Sequence, residues 1–159
     1  MKKLLLILLL LPIFSFGQTI TNFPWVHDFE NFMTLEQDPT NDRDWWLMQG
    51  PTSSQLTGPQ GDHTTGSGIY YYAEASTNGI GFPNQTFITY TPTFDISQTP
   101  GKVLSFWYHM YGITMGDLEI GVLDANGYTA IDTISGDQGT SWKFAYYTLP
   151  SSNLFKVVF

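Results

Sequence analysis

Three groups of residues in this chain are of types that do chemistry. His63 follows Asp62 in the glycine-punctuated loop from Gly58 to Gly68, and His109 lies on the aromatic run Leu104 to Tyr111. Asp117 and Glu119 are two apart in Gly116–Val122, so a strand there would project both carboxylates from one face. Asp38, Asp42 and Asp44 crowd the segment Asp38-Pro39-Thr40-Asn41-Asp42-Arg43-Asp44. A histidine beside a nucleophile could act as a general base. Paired carboxylates suit glycoside hydrolysis, and clustered carboxylates with loop carbonyls suit calcium.

Each group falls short of the pattern its chemistry needs. There is no H-E-x-x-H, no G-x-S-x-G nucleophile elbow and no cysteine nucleophile. His109 shares its parity with Trp107, opposite Phe106, Tyr108 and Met110, and reads as a hydrogen-bonded histidine of a sheet. Glycosidases that use a strand face like that of Asp117 and Glu119 take a third acid in an E-x-D-x-x-E run, which is missing here. The acidic cluster lacks the D-x-[DN]-x-[DN]-G order and the closing glutamate, so it reads as a solvated loop leading into Trp45. No residue is assigned a catalytic or cofactor-binding role, and the chain reads as a non-enzyme.

The elements that must hold these residues are strands. Alternation of period two, aromatic and β-branched residues, and Gly/Pro/Asn/Asp punctuation run along the chain. The pattern predicts strands over Trp25–Phe29, Trp45–Gln49, Gly68–Ala75, Thr86–Tyr90, Lys102–Tyr111, Asp117–Leu123, Tyr128–Ile134, Trp142–Leu149 and Leu154–Phe159. Asn126-Gly127 marks a tight hairpin. Many short strands with regular turns indicate an all-β sandwich of two antiparallel sheets. Leu104, Phe106 and Tyr108 on one strand and Leu118, Ile120 and Val122 on another are the expected core faces.

Residues 1–17 are set apart. Met1-Lys2-Lys3, the Leu/Ile run to Leu11 and the small residues before Gln18 read as a cleaved secretory signal, with the mature chain starting near Gln18 or Thr19. Its roughly 13 apolar residues fall short of the roughly 20 a membrane span requires. No later run is long enough, so no span is expected in the mature chain. Residues 18–24 form a lead-in and 25–159 one domain, large enough to bury a core. Without Lys2 and Lys3, only Arg43, Lys102, Lys143 and Lys156 stand against 14 acids, a net charge of about −10. That field argues against nucleic-acid binding.

Three blocks then carry a family resemblance. They are Gly58-Pro59-Gln60-Gly61-Asp62-His63-Thr64-Thr65-Gly66-Ser67-Gly68 running into Ile69-Tyr70-Tyr71-Tyr72, then Leu104-Ser105-Phe106-Trp107-Tyr108-His109-Met110-Tyr111-Gly112, then Ser135-Gly136-Asp137-Gln138-Gly139-Thr140-Ser141-Trp142. In this order and spacing the chain resembles the MAM domain, an extracellular adhesion and interaction module. The resemblance spans roughly Trp25 to Phe159 and implies a jelly roll with Trp45, Trp107 and Trp142 packed in its core. Animal members usually carry disulfide-bonded cysteines; this chain has none, which fits a bacterial secreted type. The family pattern continues past Phe159 with a further strand carrying acids, so the chain reads as a fragment.

The resemblance also implies a cation, usually calcium, near the sheet edge. Carried over residue by residue, its ligands are Asp28 or Glu30, Asp62, and the backbone carbonyl of His63 or Thr64; the acid of the last strand is absent. The implied role is adhesion or protein–protein interaction outside the cell or at its surface, with an extracellular protein partner. Two alternatives stand beside it. One is a non-catalytic accessory module of a secreted hydrolase, a metallopeptidase or glycosidase. The other is a carbohydrate-binding module, for which the Tyr and Trp content would furnish a glycan platform.

Overall fold

The computed structural model describes residues 18–54, 56–76, 83–99 and 101–159. Residues 1–17, read above as a secretory signal, lie outside them. Among the described residues the regular structure is all β. Eleven strands run β1 (Thr19–Ile20), β2 (Glu36–Gln37), β3 (Trp46–Gln49), β4 (Ile69–Tyr72), β5 (Thr89–Tyr90), β6 (Thr93–Asp95), β7 (Val103–Tyr108), β8 (Asp117–Asp124), β9 (Gly127–Ser135), β10 (Lys143–Thr148) and β11 (Leu154–Val158).

The fold is a β-sandwich of jelly-roll type, with ladders in three hydrogen-bonded sheets. The large sheet runs β1-β6-β11-β5-β2, and β11 also pairs with β8, which pairs with β9. The β7–β10 ladder forms a second sheet and β3–β4 a third. All pairings are antiparallel except β1 with β6, which is parallel. A purely antiparallel arrangement is therefore corrected at one edge, where the N-terminal lead-in joins the sheet.

Burial explains the pairing. Phe94, Ile96, Val122, Phe155 and Val157 form the core cluster, with Leu104, Ile131, Leu149 and Phe159 packed on it. Each such side chain contributes roughly 1.5–3 kcal/mol when fully buried. Of the six expected core residues, Ile120 and Val122 are buried, while Leu104, Phe106, Tyr108 and Leu118 are only half-buried. Phe106 meets Phe159 edge to face with ring centroids 5.2 Å apart, which joins the β7–β10 ladder to the large sheet.

Two local features shape the sheets. β8 turns into β9 through Ala125-Asn126, where Gly127 adopts φ 107° and the Asp124 carboxylate accepts the Asn126 N–H at 2.7 Å. Further along, the pairing changes register between Ile120 and Gly121, leaving Ile131 as the extra residue of a bulge on β9. Ile131 thereby packs on the core, and Asp132 accepts the Tyr147 hydroxyl at 2.8 Å.

The expected strand over Trp25–Phe29 is absent. Phe29 and Phe32 adopt left-handed φ values of 64° and 56°, which break any extended ladder, and Phe32 N–H closes the turn onto Phe29 C=O at 3.0 Å. The strands expected over Gly68–Ala75 and Thr86–Tyr90 shorten to β4 and β5. β1, β2 and β6, two or three residues each, are too short for alternation to announce.

Candidate functional site

The Gly58–Gly68 loop folds around one carboxylate. Asp62 is buried. Its Oδ2 accepts the N–H groups of Thr64 and Thr65, each at 2.8 Å. Its Oδ1 accepts the Thr65 hydroxyl at 2.8 Å and the Gly68 N–H at 2.6 Å. These four bonds occupy about all the lone-pair positions a carboxylate has. Burial alone would raise the Asp62 carboxyl; the hydrogen bonds from Thr65, Gly68 and Thr64 outweigh it and hold it at about 2. The loop also closes on its own backbone, since a Cβ on Gly61 would fall 2.2 Å from the Gly66 carbonyl oxygen.

Glu30 arrives at the same place from the N-terminal turn. Its Oε1 accepts the Ile69 N–H at 2.8 Å, tying the Phe29–Phe32 turn to the start of β4. Gly68 lies between the two acids. A Cβ built on it would sit 2.2 Å from Glu30 Oε1 and 3.1 Å from the carboxyl carbons of both Glu30 and Asp62. The two carboxyl groups are therefore neighbours, separated by a glycine because nothing larger fits. The left-handed φ values that bracket Glu30, at Phe29 and Phe32, cost of order 1–3 kcal/mol each. The Phe29 ring offsets part of that by stacking on Tyr71 at 5.2 Å.

Two neighbouring carboxylates are oxygen donors of the kind calcium takes. Among the described residues no third Asp, Glu, His or Cys side chain joins them in a metal-type group. The balance of a shell would thus come from backbone carbonyls and water. Asp28 is directed to its own turn, where Oδ1 accepts the Glu30 N–H at 3.1 Å. The His63 side chain stacks on Trp107, ring centroids 3.6 Å apart and 14° from parallel.

That stack connects the loop to the outward face of the β7–β10 ladder. Trp107 pairs with Phe144, Ser105 with Tyr146 and Val103 with Thr148. Val103 is 51 %, Trp107 45 %, Phe144 54 % and Tyr146 61 % exposed. Trp107 is thus not the core residue the family pattern implied. It stands on the outer side of the sheet, because its parity places Phe106 and Tyr108 inward. Trp142, half-buried, meets His63, His109 and Tyr70 edge-on, and its Nε1–H donates to Gly61 C=O at 3.2 Å. Trp45 is half-buried and stacks on Tyr71 at 5.4 Å.

The other reactive-looking residues are engaged elsewhere. His109 bonds through Nε2 to Thr140 C=O at 3.2 Å, and burial pushes it below the ordinary histidine value. Asp117 and Glu119 are exposed, and Glu119 accepts the Tyr128 hydroxyl. In the acidic loop, Asp38 accepts the Thr40 N–H and hydroxyl at 2.7 and 2.6 Å. Asp42 accepts the Thr86 N–H and hydroxyl, both at 2.9 Å. These bonds, to Thr40 and to Thr86, hold both acids below the usual carboxylate value.

Several residues that matter here were not singled out from sequence. Thr65, Gly68, Phe144 and Tyr146 each lack a motif of their own. An Asp followed two and three residues on by Thr is, however, a local signal for a side chain that caps its own turn.

Similarity to known proteins agrees with this architecture. Residues 27–159 match the family model "MAM domain, meprin/A5/mu". The chain is 37% identical over 119 residues to thyroid hormone-induced protein B of Xenopus laevis, covering 72% of this chain and 17% of that protein. It is 32% identical over 129 residues to human MAM domain-containing protein 2, covering 79% and 18%. To neuropilin-1a of Danio rerio it is 31% identical over 137 residues, covering 83% and 14%. The chain therefore spans less than a fifth of the length of these relatives. All three are animal proteins and give no support to a bacterial type. From the family-model match and these identities, the chain belongs to the MAM domain family.

Proposed function

We propose that this domain is a non-catalytic module of the cell exterior that binds an extracellular protein partner. The observation that carries the reading is the outward face of β7–β10, where Val103, Trp107, Phe144 and Tyr146 are exposed together without a charged side chain among them. Contiguous exposed apolar area marks interaction sites, and aromatic residues are the common anchors of protein interfaces. Membership of the MAM family supports the same reading, as does the name of a chicken relative, MAM domain-containing glycosylphosphatidylinositol anchor protein 1. Among the described residues no helix is long and apolar enough to cross a membrane.

The module holds one structural calcium ion at Glu30 and Asp62, supported by their convergence at Gly68. The absence of cysteine supports a bacterial secreted type in which packing and the cation stand in for disulfides. A second reading, glycan binding, is favoured by Ser105 and Thr148 hydroxyls standing beside the exposed rings.

The test is adhesion of domain-coated beads to cultured cells. Trp107→Ala combined with Tyr146→Ser should lower adhesion about tenfold or more, the loss that truncating interface anchors produces, without unfolding the domain. Adhesion that survives those changes sinks the assignment of the face. Sensitivity of adhesion to glycosidase treatment of the cells, with a matching hit on a glycan array, replaces the protein reading by the glycan one. Isothermal titration with calcium decides the cation separately.

A further inference from the structure

We propose that the Gly61–Gly68 loop is a latch that couples the Glu30–Asp62 carboxylate pair to the outer aromatic face, with His63 as its lid on Trp107. The loop is held at three points. Trp142 holds the Gly61 carbonyl, the Asp62 carboxylate gathers Thr64, Thr65 and Gly68, and Glu30 holds Ile69 just after it. His63 lies between Asp62 and the Thr64 N–H that its carboxylate holds, and stacks from the loop onto Trp107. Trp107 in turn touches Phe144 at 5.1 Å, so the lid covers one end of the face proposed to bind a partner.

A physical conflict makes the loop a switch rather than a fixed strap. Every lone-pair position of Asp62 already accepts a hydrogen bond. A cation drawing on that carboxylate must displace at least one of those donors. All four donors, three N–H groups and the Thr65 hydroxyl, belong to residues that follow His63, so the loop adjusts next to where the lid is attached. Cation binding is then read at Trp107, which lies on another strand. This regulatory half rests on the calcium reading above; the dependence of the lid on Asp62 does not.

Fluorine NMR of the secreted chain labelled with fluorotryptophan tests both halves. The Trp107 resonance is assigned by its loss in Trp107→Phe. His63→Ala should shift that resonance. Asp62→Asn should shift it in the wild-type background but not in the His63→Ala background, because the lid is the route. An equal Asp62→Asn shift in both backgrounds, or none in either with the amide spectrum still folded, overturns the latch. Thr65→Val removes one hydrogen bond to Asp62, and with it the hydroxyl that also accepts the Ser67 and Gly68 N–H groups. It leaves the carboxylate and its three N–H donors in place and serves as the variant if Asp62→Asn does not fold; the same two outcomes decide. With calcium, the wild-type resonance should move and His63→Ala should abolish the movement. Calcium that binds by calorimetry yet leaves Trp107 in place overturns the coupling. Calcium that does not bind at all overturns the cation reading and with it the regulatory half, while the variant series still decides the lid.

Discussion

Two sets of acids in this chain differ both in their spacing along the sequence and in what the fold does with them. The segment Asp38–Asp44 places three aspartates within seven residues, yet Asp42 and Asp44 are exposed and Asp38 and Asp42 are spent on nearby threonines. Glu30 and Asp62 are far apart in sequence and meet across Gly68. In the first region the charges are dense but solvated, and water screens their repulsion. In the second, one carboxylate is buried and a full set of hydrogen bonds holds it charged. Convergence from separate elements, rather than local density of acids, is what makes a candidate site.

That contrast can be broken most directly at Asp62. Asp62→Ala strips a partner from three backbone N–H groups and a hydroxyl at once. Each unsatisfied buried donor costs roughly 1–3 kcal/mol, and water will recover some of them, so a loss of about 3 kcal/mol in denaturant unfolding is expected. A loss under about 1 kcal/mol would mean the loop does not depend on its carboxylate.

Acid titration sharpens the same point. The folded Asp62 value of about 2 lies below its ordinary 3.8. Its contribution is therefore fully present above pH about 4 and is lost as pH falls through about 2. Wild-type melting temperature should drop more steeply over that window than that of Asp62→Asn, which has no such proton to bind. Parallel curves would place the stabilising charge elsewhere.

Gly68→Ala should cost somewhat less, about 2 kcal/mol. The added methyl displaces the Glu30 carboxylate, which is the end of a flexible side chain, and the lost bond to Ile69 N–H leaves a donor without its partner. Combining it with Glu30→Ala removes the clash, so the pair should be clearly less than additive in a double-mutant cycle. Full additivity would show that Gly68 and Glu30 do not meet.

Asp42→Asn in the acidic loop should have the smallest effect, within about 0.5 kcal/mol, as for surface substitutions in general. One amide oxygen still accepts from Thr86. A loss as large as that of Asp62→Ala would erase the distinction between the two regions.

Much of the architecture was legible in the chain itself. Period-two alternation located β8 to β11 to within one residue at each end, while the expected Lys102–Tyr111 strand stops three residues early, at Tyr108. Asn126-Gly127 named its hairpin because Gly127 needs positive φ. The ordered Gly-Asp-His, Phe-Trp-Tyr and Gly-Thr-Ser-Trp blocks pointed to the family. Short strands such as β1, β2 and β6 were not legible, because two or three residues carry no period and gain their ladders only from neighbours already in place.

At the candidate site the division is sharper. Sequence determined that Asp62 would sit in a glycine-rich turn capable of wrapping a carboxylate, and local hydrogen bonds to Thr64 and Thr65 deliver that without distant help. The family resemblance put Glu30 or Asp28 beside Asp62; only the tertiary structure decided that Asp28 stays with its own turn, that Glu30 is the one at Gly68, and that His63 lies over Trp107. It also decided that Trp107 faces outward, although the same alternation assigned its inward neighbours. The reason is physical: alternation states which residues share a side of a strand, but which side is buried depends on what packs against it. Carboxylates meet only where separate elements bring them together, and no spacing along the chain encodes that distance.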